Sequence, residues 1–344
     1  MRYEIRALRP GNRRINGEVD ALLEGEGLRR DKCLDYTCVL LDEAYRVVAT
    51  GSCFGNTLRC MAVAPKHRGE GLMSLVMSHL MEIQALRGNL HLFLYTKPAG
   101  APMFADLGFF EIARIPDLVF MENRRSGFRD YCAALPRRPE GLKAAVVMNA
   151  NPFTLGHRHL AEHAAAACDS LYLFVLSEEA GPIPAGVRKE LVLRGVSHIP
   201  GVLVQDTGPY MISSATFPSY FLRDSEEVIR AQAQLDLTVF ARIARELDIR
   251  LRFAGEEPHS LVTGLYNQVM AARLPEAGID FRVIPRLRAG ERFISASAVR
   301  KAIHDQDLPS VRDMLPDSTY DFFAGPEGEA VVQAIRETED VIHY

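Results

Sequence analysis

The chain has 344 residues, 48% of them apolar and 24% charged, with a formal net charge of −4 at pH 7. That length suits two domains of ordinary size, and that balance is the one of a globular protein in water. The slightly acidic total argues against nucleic acid as a partner. No run reaches the roughly 20 apolar residues of a membrane span, and Met1–Arg6 has no apolar signal core, so a cytoplasmic protein is expected. The six cysteines show neither a C-x-x-C pair nor zinc spacing, so they read as small reduced core residues.

In the first third, apolar runs predict strands at 36–41, 46–54 and 58–63, with turns at Asp42-Glu43 and Gly55-Asn56. An amphipathic helix follows from Leu72 to about Leu86, then a strand at 91–95 and a short helix at 103–107 leading into Gly108-Phe109. Between the third strand and the first helix lies Arg68-Gly69-Glu70-Gly71. This order resembles the GNAT-type acetyltransferases over roughly residues 1–125. The resemblance implies a GNAT-like α+β domain at 1–127. In it the backbone of the loop at Arg68, Gly69 and Gly71 would hold the pyrophosphate of a coenzyme-A-like group at a helix N-terminus. Met73 departs from that pattern, which has a small residue there. No general base stands out: Glu111 and Tyr95 are candidates, and structural roles suit both better.

Polar residues at 122–127 and the breakers of Pro136–Gly141 predict a linker over 128–143, with a connector turn at 128–135. Beyond it, strands at 144–148, 170–176, 201–205, 249–254 and 279–284 alternate with helical patterns at 160–168, 187–197, 225–247 and 261–274. A helical tail begins at Ser297. This alternation predicts a Rossmann-like α/β domain with a parallel sheet over 144–344, whose ligands sit beyond the carboxyl ends of the strands.

Three motifs fall at such ends. In Asn149-Ala150-Asn151-Pro152-Phe153-Thr154-Leu155-Gly156-His157-Arg158-His159, a strand turns into a helix. There free N–H groups, the helix dipole, a hydroxyl and imidazoles suit a phosphate chain. Gly255 ends a later strand and leads into Glu256 and Glu257; these two acids suit a metal or a nucleotide pocket, or else are first-turn acids of the next helix. Ser295, Ser297 and Arg300 bring two hydroxyls and a cation to a loop–helix junction, chemistry that suits polyphosphate oxygens. Each motif also has an ordinary reading: Thr154, Ser295 and Ser297 as helix N-caps and Gly156 as a turn glycine.

T-x-G-H paired with I-S-x-S-x-V-R resembles the nucleotidyltransferase superfamily (HUP-type fold). The fuller wording from Asn149 to Arg158 resembles the citrate lyase ligase family, as do Glu257-Pro258, Val262-Thr263, Tyr266-Asn267 and Leu92–Pro98. The resemblance implies an acid–thiol ligase that uses ATP and Mg²⁺ to adenylate acetate. It would then pass acetyl to the thiol of a coenzyme-A-like prosthetic group on the citrate lyase acyl carrier subunit. It further implies catalytic roles for Thr154, His157 and Arg300. Asn149, Asn151, Pro152, Phe153, Gly156, His159, Gly255, Glu256, Ser295 and Ser297 would line the nucleotide, with His159 the weakest of these. Mg²⁺ would ride on phosphate oxygens without protein ligands. The competing expectations are an adenylyltransferase of a coenzyme precursor (pantetheine-phosphate or nicotinate mononucleotide type) fused to an acetyltransferase, and a nucleotide-sensing binding protein.

Overall fold

The computed structural model describes residues 3–31, 33–138, 140–178, 181–211, 217, 225–256, 261–290 and 292–338. The chain divides into two compact units, 1–128 with 217–231, and 129–216 with 232–344.

The first unit contains β1 (Glu4–Ala7), α1 (Arg13–Gly25), β2 (Tyr36–Leu41), β3 (Val47–Phe54), β4 (Thr57–Val63), α2 (Leu72–Leu86), β5 (Phe93–Thr96), α3 (Ala101–Asp106), β6 (Phe110–Arg114) and β7 (Val119–Glu122). Its seven strands lie in the order β1-β2-β3-β4-β5-β7-β6. Neighbours are antiparallel except β4 and β5. These two are paired only at Thr57–Phe93 and Leu58–Leu94, and a groove opens beyond that pairing, lined by Met61–Val63 of β4 and Tyr95 and Thr96 of β5. This is the GNAT-like arrangement expected from the sequence. The expectation omitted β1, α1, β6 and β7, although Ile15, Val19 and Leu23 of α1 are buried at a spacing of four. A stripe one residue wide among arginines and acids is a weak periodic signal.

The second unit follows the connecting helix α4 (Gly127–Ala134), which occupies most of the stretch expected as a connector turn. Its buried Phe128, Cys132 and Leu135 explain why that stretch is ordered. Then come β8 (Lys143–Met148), α5 (Leu155–Ala166), β9 (Ser170–Val175), α6 (Ala185–Val196), β10 (Val202–Asp206), α7 (Ser225–Leu247), β11 (Ile249–Gly255), α8 (Leu261–Arg273) and β12 (Asp280–Ile284). A short ribbon of β13 (Arg288–Ala289) and β14 (Arg292–Phe293) precedes α9 (Ala296–His304), α10 (Asp317–Ala324) and α11 (Glu329–Glu337).

The main sheet, β10-β9-β8-β11-β12, is parallel at every pairing. Covered on both faces, its inner strands read as continuous apolar runs, and all six residues of β9 are buried. The order reverses beside β8, so the crevice for a ligand falls between the ends of β8 and β11. Of the cysteines, Cys38, Cys53, Cys60 and Cys132 are buried as expected, Cys168 is half-buried and Cys33 is exposed; all are free thiols. No helix among the described residues is long and apolar enough to cross a membrane.

Candidate active site

The turn from β8 into α5 is built by local chemistry. Thr154 is the N-cap of α5: its Oγ1 accepts the His157 N–H at 3.5 Å, while the Thr154 N–H donates to His157 Nδ1 at 3.1 Å. This reciprocal pair is a capping box with histidine in the place usually held by glutamate. Thr154 Oγ1 lies 2.9 Å from the same nitrogen. Only an unprotonated nitrogen accepts a backbone N–H, so the ring hydrogen sits on Nε2. Burial, reinforced by the Arg286 guanidinium, pushes His157 down to about 4, and the ring is a neutral donor at physiological pH.

Two buried arginines hold the turn. Arg188 of α6, wholly buried, donates through Nη1 to Asn149 O (2.9 Å) and Oδ1 (2.5 Å), and through Nη2 to Glu178 O. Arg300 of α9 donates through Nη1 to Asn151 O at 2.6 Å and is 7% exposed. Arg300, expected to grip phosphate, thus makes a backbone contact that fixes the turn. Ala150 adopts φ 51°, an unusual value for a residue with a side chain, which shows how tightly the surroundings define this loop.

The first and third motifs, about 140 residues apart in sequence, meet here. A Cβ built on Gly156 would lie 3.6 Å from Ile294 Cγ2, so the glycine lets α5 begin against the Ile294 segment. Ser295 caps α9 by accepting the Ala298 N–H at 3.3 Å, and its hydroxyl stands 2.6 Å from that of Ser297. Arg286, just past β12, donates through Nε and Nη2 to Ile294 O at 3.2 and 3.1 Å. It brings a cation beside His157. Arg188 and Arg286 carried no sequence expectation. A cation straight after a strand was a usable hint for Arg286; Arg188 sits in a mixed helical stretch without one.

Other expected residues fall elsewhere. Phe153 is fully buried in the core, its ring 5.8 Å from that of His157, so it supports the imidazole from behind and reaches no ligand. Pro152 and Asn151 are buried as well. His159 lies two positions from His157, on another side of α5, with its ring 4.0 Å from that of His163. Gly255 accepts a hydrogen bond from Asn267 Nδ2 at 3.3 Å, and Glu256, exposed, accepts the Arg286 N–H through Oε2 at 3.4 Å. Glu257 and Pro258 lie outside the described residues. A cleft of about 560 Å³ opens beside the turn between Leu155, Arg158, Arg292 and Arg312, a size that suits a small-molecule site.

In the first unit, Arg68, Gly69 and Gly71 line a groove of about 640 Å³ together with Tyr95, Lys97 and Phe104. Gly69 (φ 83°) and Gly71 (φ 75°) hold the left-handed backbone that turns the loop into α2, and no atom crowds the position of a Cβ on either. Met73 lines the groove while also packing on the core, and Arg68 pairs with Glu26 at 2.6 Å.

Comparison with known proteins gives three results. Residues 143–323 match the family described as citrate lyase ligase C-terminal domain. A citrate (pro-3S)-lyase ligase of Klebsiella pneumoniae is 38% identical over 292 residues, covering 83% of this chain and 85% of that protein. One of Escherichia coli (strain K12) is 35% identical over 324 residues, 91% of each. Among solved structures, a putative acyl-CoA N-acyltransferase from Klebsiella pneumoniae subsp. pneumoniae is 20% identical with a TM-score of 0.31, over 35% of this chain and 95% of that one. By the family match and the coverage of these relatives, the chain belongs to the citrate lyase ligase family.

Proposed function

We infer that the protein is an ATP-dependent ligase that activates citrate lyase by acylating its acyl carrier subunit. Acetate is the acid in this reading. Its carboxylate oxygen attacks the α-phosphorus of ATP, pyrophosphate leaves, and the acetyl-adenylate then yields its acetyl group to the carrier thiol, releasing AMP. The observation that carries the reading is the meeting of the T-x-G-H turn with the Ile294–Ser297 segment. It gathers the α5 N-terminus, a neutral imidazole donor and two hydroxyls at the ends of β8 and β11.

The groups present fit a polyphosphate. Phosphoryl-type transfer needs positioning and charge stabilisation more than covalent chemistry. His157 Nε2–H donates to an α-phosphate oxygen, where negative charge grows as the acid attacks. Gly156 lets the phosphate approach the start of α5. Ser295, Ser297 and Arg286 face the leaving pyrophosphate. Arg188 and Arg300 work indirectly, by fixing the backbone that presents His157. Magnesium accompanies the nucleotide on its phosphate oxygens. The described residues form no cluster of three metal-ligating side chains, and no step here depends on one. The groove of the first unit receives the coenzyme-A-like arm of the carrier, with the Gly69–Gly71 loop and the α2 N-terminus toward its pyrophosphate.

The test is ATP–pyrophosphate exchange, run separately with acetate, nicotinate mononucleotide and phosphopantetheine. Acetate-dependent exchange that falls about 10²-fold or more in His157→Ala is expected from the loss of one preorganised donor. Exchange only with a phosphate-bearing acceptor replaces this reading with an adenylyltransferase.

A further inference from the structure

The thioester-forming step needs a base for the acceptor thiol, and none of the groups assigned to the phosphates is one. His157 Nδ1 is occupied by the Thr154 N–H, and its Nε2 already carries a hydrogen. Glu178 lies three residues past the end of β9, the strand beside β8. The ladder continues past β9, with the Leu176 N–H on Met148 O at 3.1 Å. One guanidinium, Arg188, bonds both the Glu178 carbonyl and Asn149 at the head of the phosphate-binding turn. Asn149 and Glu178 are therefore tied to one side chain.

The Glu178 Oε2 is shielded from solvent and has no hydrogen-bond partner. A buried carboxyl oxygen without a partner is costly and calls for a reason. Its place in the site supplies one. In this reading the pyrophosphate lies on the β11–β12 flank, with Arg286, which follows β12, and with Ser295 and Ser297. In an in-line displacement the attacking group enters opposite the leaving group. Glu178 follows β9, across β8 from β11 and β12 in the sheet order, which in this reading is the flank where the acid enters.

We propose that Glu178 is the general base of the second half-reaction, removing the proton from the acceptor thiol as the sulfur attacks the acetyl carbonyl. The assignment rests on the acetyl-adenylate reading above. The S–C bond forms and the bond from the acetyl carbon to the phosphate oxygen breaks. AMP leaves with that electron pair, and the thiol proton passes to Glu178. Burial pushes this carboxyl up to about 7, against the pull of Arg188, which suits a base working near neutrality. Arg188, from α6, is the charge that acts on it. Nearby, Asn149 and Thr207 are neutral, and Asp206 of β10 is paired with Lys189 of α6 at 2.5 Å.

The experiment separates the two half-reactions in the full-length Glu178→Gln variant. Three rates are measured with ATP and acetate: pyrophosphate exchange, acetohydroxamate formation with hydroxylamine (an acceptor that attacks as a neutral amine), and thioester formation on dephospho-coenzyme A. Exchange and hydroxamate are expected to stay within about twofold, while thioester formation falls about 10²-fold or more. The residual thioester rate is expected to keep rising toward the ordinary thiol range near pH 8.5, whereas the wild-type rate levels off above about 7. Undiminished thioester formation overturns the proposal, as does an equal loss of exchange, which would place Glu178 in the adenylation step or in the fold. Wild-type protein without acetate-dependent exchange overturns the ligase reading and this proposal with it.

Discussion

His157 does two jobs with one ring. Nδ1 closes the cap of α5, which leaves Nε2–H as a donor of fixed direction, and the depressed pKa keeps the ring neutral; in the proposed function that donor serves the α-phosphate. A half-buried neutral histidine also couples stability to pH. Between about 6.5 and 4 the unfolded imidazole takes up a proton that the folded one refuses, so stability is full above this window and is lost as pH falls through it. Glu178 works the other way. Its carboxyl, raised to about 7, holds a proton that the unfolded chain releases, so stability declines as pH rises from about 4.5 to 7. In His157→Asn, where Oδ1 takes over the capping bond, urea midpoints from pH 4 to 7 are expected to lose the His157 share of the fall at acid pH, while the share owed to His159 remains. An unchanged profile would mean that His157 is not held as a neutral ring.

At the scale of elements, the turn is shaped by what packs behind it. Phe153 presses against Gly195 of α6, where a Cβ would overlap the ring. Gly195→Ala must therefore push Phe153 and α6 apart, and overpacking of this kind costs about 1–3 kcal/mol. Because Phe153 backs His157 and Arg188 sits on the same helix, the variant is expected to lose exchange activity together with thermal stability, although residue 195 touches no substrate. A lower melting temperature with full exchange would separate α6 from the site. Sequence reading placed the strands, helices and turn here within a few residues, because strand–turn–helix chemistry is local. It missed that α6 and α9 lend arginines to the turn, since a lone arginine in a helix has no period to reveal what it touches.

For the whole molecule, the proposed function divides the work between two compact units, with nucleotide chemistry assigned to the second and recognition of the coenzyme-A-like arm to the first. Arg68 is exposed at the groove and paired with Glu26, an arrangement worth little to stability. Arg68→Glu is expected to raise the KM for the carrier thiol severalfold while leaving acetate-dependent exchange intact. Equal KM values in variant and wild type would remove the groove from carrier recognition.

The sequence by itself determined what short-range chemistry decides. The parallel strands announced themselves as apolar runs buried on both faces, the α5 N-terminus by Thr154-Leu155-Gly156-His157, and the family by the wording around it. Tertiary structure alone decided which groups share the site. Arg300 reaches back 149 residues to Asn151, Arg286 comes beside His157 from β12, and Arg188 ties Glu178 to Asn149. Such partnerships depend on strand order, here β9-β8-β11. Strand order is set by the global competition to bury both faces of a sheet, which no local run of residues records.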